Sequence, residues 1–142
     1  MADLCLGVID VPYDNRDGQP ATTYTVATIL EEKYGVMRNF YEAHQQDITK
    51  ALVSSIENAL SAILEGGFVG DPFASAGQDI RQEFRTFLMT GEIEGMGIPG
   101  VPTKAAQNRR SLRFKDKVAS GPRPSFIDTA LYETSMIAWV EE

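Results

Sequence analysis

Cysteine, histidine and tryptophan each occur once in the 142 residues. A lone cysteine forms no intrachain disulfide, and the position of Cys5 inside the apolar run Leu4 to Val11 makes it a space-filling residue. With His44 as the sole imidazole, a two-histidine metal site and a paired imidazole relay are excluded. No stretch reaches the roughly 18 uninterrupted apolar residues of a membrane span. The opening MADLCLGVID carries no basic n-region and has Ala2 where myristoylation requires glycine. Neither a secretory signal nor N-myristoylation is expected from it, and a cytosolic protein is. No G-x-S-x-G motif or phosphate loop occurs, and no segment repeats. Gly95, Gly97 and Gly100 satisfy G-x-G-x-x-G formally, but a helical pattern precedes them and Pro99 and Pro102 forbid the helix that should follow. In YDNRDGQP the first and twelfth positions of a calcium loop would be Tyr13 and Tyr24, neither of which carries a carboxylate.

Apolar residues make up 43% of the chain and charged residues 23%, the balance of one soluble globular domain over residues 1–142. The net charge of -7 is unevenly spread. Lys104, Arg109, Arg110, Arg113, Lys115, Lys117 and Arg123 stand against the single acid Asp116, so this segment is +6 and the remainder -13. Such a face meets phosphates, DNA or an acidic protein partner, or serves only as a solvated polar strand. Glu31, Glu32, Glu92 and Glu94 are the carboxylates an enzyme would draw on, yet no spacing orders them into an acid/base pair, and no catalytic activity or cofactor is expected.

Period-2 alternation predicts a strand over Leu4 to Val11, closed by Pro12, with a loop at 12–22. A helix is predicted from Thr25, bending near Gly35, and a second continues to Glu65 before the cap at Gly66 and Gly67. Asp71, with Pro72 behind it, announces a third helix whose buried face is Ile80, Phe84, Phe87 and Leu88; Ser75 to Gln78 is an alternative start. A hinge-like loop spans 91–102, Thr103 caps a short helix through Asn108, and Ser111 to Val118 alternates as a basic strand. The fold class is therefore α+β: a long helix and a second helix packed on a small, mostly antiparallel sheet of the N-terminal strand and C-terminal strands.

The second helix carries an every-fourth row of Phe40, His44, Ile48, Leu52, Ile56, Leu60 and Leu64. Each step of four drifts about 40° around the helix, so no flat surface covers the whole row. As one helix, 35–65 would span about 46 Å, whereas a compact globule of this length is only about 37 Å across. Part of the row is expected to face another subunit, with Phe40, Ile48, Leu52 and Trp139 as candidate subunit-packing residues.

In RPSFIDTALYETSMIAWVEE, Asp128 or Thr129 caps a helical turn, after which Met136, Ala138 and Val140 face one way and Ile137 and Trp139 the other. Both faces are apolar, the mark of an inner strand or of an outer one covered by a partner, and Ser111 to Val118 is its expected antiparallel neighbour. The eighteen residues RPSFIDTALYETSMIAWV resemble the C-terminal signature of neck and tail-completion proteins of tailed bacteriophages. Ile127, Asp128, Thr129, Leu131, Ser135, Ile137 and Val140 hold matching positions, and Ala130 stands where that family usually has glycine. The resemblance implies a virion structural protein of the head-tail junction, a connector, tail-completion protein or tail terminator, with Asp128, Thr129 and Ser135 setting the turn. It implies a homo-oligomer, a hexameric or dodecameric ring touching other neck and tail proteins and passing DNA, with no membrane and no cofactor. The ring is expected to be assembled in the host cytoplasm. The competing reading is a nucleic-acid-binding protein that uses the basic segment 104–123.

Overall fold

A computed structural model describes residues 1–13, 21–107, 124–126 and 131–142. The order is β1 (Asp3–Val8), α1 (Thr23–Tyr34), α2 (Val36–Ala43), α3 (Gln45–Leu64), α4 (Ala74–Met89), a 3-10 turn (Glu92–Met96), α5 (Lys104–Gln107), α6 (Leu131–Ser135) and β2 (Met136–Glu141). The two strands pair antiparallel from Asp3 opposite Glu141 to Val8 opposite Met136. This is the expected α+β fold, helices packed on a small sheet of the N-terminal and C-terminal strands. Among the described residues no helix is long and apolar enough to cross a membrane.

The helix boundaries follow from local chemistry. Thr22 caps α1 by accepting from the Thr25 amide at 3.3 Å, which starts the helix two residues earlier than periodicity alone predicts. Gly35, at φ 61°, reverses the chain between α1 and α2, and that left-handed backbone is the reason for a glycine there. Glu31 reaches across the reversal to accept from the Met37 and Arg38 amides at 2.8 and 3.2 Å, so the carboxylate caps α2 from the preceding helix.

The expected single helix over 35–65 is divided at His44, whose φ of -114° and ψ of 19° leave helical geometry. Its ring accounts for the bend: it stacks on Phe40 at 5.1 Å, meets Phe87 edge-on at 5.7 Å, and places Nε2 3.0 Å from the Glu92 carboxylate. Backbone bonds continue on both sides, from the His44 amide to Phe40 and from the Ile48 amide to His44. Asp71 and Pro72, expected as cap and first helical residue, instead form the turn before α4: the Asp71 carboxylate accepts from the Phe73 amide at 2.8 Å, and the helix begins at Ala74 with Phe73 at its N-cap and no side-chain cap. Ser75 starts nothing; its hydroxyl lies 2.7 Å from that of Ser55 on α3.

Ile80, Phe84, Phe87 and Leu88 of α4 are all at most 1% exposed and form one core with Val36, Phe40, Ile48, Ile93, Tyr132 and Met136. The aromatic centre is tightly arranged, with Phe84 edge-on to both Phe40 and Tyr132 at 5.2 and 5.9 Å. The inner sheet face of Leu4, Leu6, Val8 and Ala138 closes this core. Within the segment expected as a hinge-like loop, 91–102, Ile93 of the 3-10 turn is fully buried, so that stretch is partly a packed element. β1 stops at Val8 instead of Val11, because Ile9 and Val11 turn to the Thr23 hydroxyl, which donates to the Ile9 carbonyl at 2.6 Å and accepts from the Val11 amide at 2.8 Å.

Candidate functional site

Along the every-fourth row, burial decays with position. Phe40 is 0% exposed and Ile48 2%, Leu52 packs half-buried against the core, and Ile56, Leu60 and Leu64 are 39%, 55% and 87% exposed. This is the angular drift expected of the row, made visible as a gradient. Phe40 and Ile48, expected as subunit-packing residues, are instead enclosed by α4 and α2 of their own chain and offer nothing to a partner.

Farther along α3 the buried side is built differently. Beyond Leu52 the buried or half-buried positions of the helix are all small: Ser55, Ala59 and Ala62. Ser55 is 3% exposed, and its hydroxyl lies 2.7 Å from the Pro72 carbonyl and 2.7 Å from the Ser75 hydroxyl, fixing the loop before α4 against the helix. Small residues let α4 approach closely while the large aliphatics turn outward. Val53, Ile56, Leu60 and Ile63, at 48%, 39%, 55% and 55% exposure, form a spacing of three and four residues that is a helix-packing seam. Leu64 and Phe68, at 87% and 95%, extend it past the helix end. Together these side chains expose on the order of 700 Å² of apolar surface, above what a monomer ordinarily leaves to water and close to one partner's share of a standard interface. Val53, Ile63 and Phe68 escaped the sequence reading because the every-fourth row masks the seam; a search for alternating steps of three and four finds it.

The other expected site residues are placed as follows. Trp139 is 38% exposed on the outer sheet face, its indole nitrogen donating to Glu141 at 2.8 Å. Ser135 is buried where α6 meets β2; its hydroxyl donates to the Leu131 carbonyl and its own carbonyl accepts from the Ile9 amide at 2.8 Å, tying the turn to β1. Asp128 and Thr129 lie outside the described residues. Of the basic set, Lys104 opens α5 and is exposed, while Arg109, Arg110, Arg113, Lys115, Lys117 and Arg123, with the strand expected at Ser111 to Val118, lie outside them. β2's described neighbour is β1. Thr103 caps α5, its hydroxyl accepting from the Ala106 amide at 3.2 Å. Its amide donates to the Ser125 hydroxyl at 3.0 Å, and Ser125 binds Glu94 through its amide and hydroxyl at 2.8 and 2.9 Å. Thr103 and Ser125, described residues on either side of the basic segment, are therefore bonded to each other.

Three of the carboxylates weighed for catalysis thus serve the fold: Glu31 caps α2, Glu92 meets His44 and Glu94 anchors Ser125. Among the described residues no His, Cys, Asp and Glu side chains gather into a group of three suited to a metal ion. A surface cavity of about 240 Å³ is lined by Gln78, Arg81, Gln82, Arg85, Glu133 and Thr134. Glu133 is 3% exposed, its Oε1 lies 3.7 Å from Arg85 Nε and its Oε2 has no hydrogen-bond partner among the described residues. Burial raises its carboxyl above the usual carboxylate range and Arg85 pulls it part of the way back. A carboxyl raised in the folded state favours folding most below its unfolded pKa, and that advantage is lost as pH rises through the folded value. Glu133→Gln is therefore expected to raise the urea midpoint at pH 7 and to leave it unchanged near pH 4, measured on both proteins by tryptophan fluorescence.

Comparisons of the chain with protein families, curated proteins and solved structures give no match.

Proposed function

We propose that the chain is a structural subunit of a tailed bacteriophage virion, acting at the head-tail junction as a connector, tail-completion protein or tail terminator and assembling there as a closed ring of identical copies. The observation that carries the assembly is the α3 seam, the stretch of helix beyond Leu52 whose large aliphatics face water while its small residues face its own chain. A helix packed for the stability of one copy would place them the other way round. The virion assignment draws on the closing segment, where α6 and β2 supply the helical turn and alternating strand of the signature that residues 123–140 resemble. The +6 segment is then a face toward DNA or toward acidic neighbours in the stack. Negative-stain electron microscopy of the purified chain, alone and mixed with virion particles lacking it, tests this. Closed rings of one diameter, or restored head-tail joining, are the expected results; particles of single-copy size that leave the defect uncorrected contradict it.

A further inference from the structure

The sheet carries a second apolar face. Alternation sends Leu4, Leu6, Val8, Met136 and Ala138 into the core and leaves Cys5, Gly7, Ile137 and Trp139 on the outside. The Trp139 ring lies over Gly7, 3.1 Å from where a Cβ would stand. Trp139 remains 38% exposed and Ile9, next along the chain, 51%. Cys5, Gly7 and Ile137 with Trp139 and Ile9 thus make a strip of small and apolar residues along the outer sheet face, called the trough below, in which the indole lies over Gly7 and supplies an aromatic of the kind that anchors interface centres.

Resting on the assembly reading above, we propose that neighbouring copies meet through these two unlike surfaces: the α3 seam of one copy lies in the outer sheet trough of the next. Pairing seam with seam would form an isologous dimer and leave the trough bare, whereas joining seam to trough uses both surfaces and propagates from copy to copy until it closes. The lengths agree. Lys50 to Ile63 spans about 20 Å of helix, and Asp3 to Ile9 spans about 20 Å of strand. Charge sets the direction. Asp3 and Glu141 stand directly opposite each other in the sheet register, a like-charge pair that a cation relieves. Lys50, one turn before Val53, is 76% exposed and among the described residues is paired with Asp47 alone, at 3.7 Å. With Lys50 at the Asp3 end, Ile56 comes to Cys5 and Trp139, and Leu60 and Ile63 to Ile9.

The native thiol reads this register. Ile56→Cys, with Cys5 retained, is oxidised with copper phenanthroline at a concentration where the chain is oligomeric. A ladder of covalent multimers is expected, since every copy carries both halves of the contact, and Cys5→Ser in the same background abolishes it. Leu64→Cys, a little over two turns farther along α3 and past the end of the trough, is expected to give no ladder with Cys5. Covalent dimers that persist in Ile56→Cys with Cys5→Ser, or oligomers of normal mass that yield no ladder, overturn the proposal while leaving the assembly reading intact. A chain that sediments as a monomer overturns both.

Discussion

Leu60→Lys combined with Ile63→Glu is expected to convert the proposed assembly to monomers without unfolding the chain. Both side chains are 55% exposed, so the substitutions remove no core contact, and lysine and glutamate are good helix formers. Their own-chain cost is that of surface changes, within about 0.5 kcal/mol. In the proposed assembly the same two positions sit at the middle of the seam, where truncating a central apolar residue costs about 2 kcal/mol and stranding a charge costs more. Two such positions weaken association on the order of 1000-fold. Far-UV circular dichroism of the variant should match the parent while its sedimentation coefficient falls to that of one copy. Phe40→Ala, by contrast, is expected to damage the fold itself, because Phe40 is fully enclosed by its own chain.

Gly77→Ala is expected to destabilise the fold by about 2 kcal/mol, although alanine ordinarily improves a helix by about 1 kcal/mol over glycine. Gly77 lies on the side of α4 that faces β2, and a Cβ built on it stands 2.7 Å from the Ala138 carbonyl oxygen and 3.7 Å from its carbon. The obstructing atom is backbone, fixed by the strand pairing, so no rotamer change relieves it. The helix must lift from the sheet, loosening Ile80 and Phe84, which are buried one and two turns farther along α4. Gly95→Ala is the control: nothing lies within 4 Å of its Cβ position, and a change within about 0.5 kcal/mol is expected. Urea midpoints of the three proteins separate steric contact from helix propensity.

What periodicity could and could not tell is clearest on the two long helical segments. On α4, the face Ile80, Phe84, Phe87 and Leu88 was legible because one side of a short helix meets one core, and all four are buried. On α3 the row was legible but its fate was not. α4, at 16 residues, is about 24 Å long, and α2 with α3 runs about 43 Å from Val36 to Leu64. The shorter helix covers one end only, and sequence does not say which. That is why Phe40 and Ile48 belong to the core while Ile56, Leu60 and Leu64 face water. The outward faces of β2 were legible for a similar reason, since alternation assigns sides. That β2 shares a sheet with the N-terminal strand was expected, but their direct pairing was not, because alternation names no partner and the two strands lie at opposite ends of the sequence. The duties of Glu31, Glu92 and Glu94 depend on neighbours brought together by the fold, and nothing in their local sequence announces them.

Sedimentation equilibrium of the unmodified chain, run from submicromolar to about 100 µM beside the Leu60→Lys, Ile63→Glu variant, bears most directly on the seam. The expected result is a mass of several copies that holds or grows with concentration in the parent and a mass of one copy throughout in the variant. A parent of single-copy mass across the whole range, with a variant indistinguishable from it, would contradict the assignment of this apolar helix face to contact between copies.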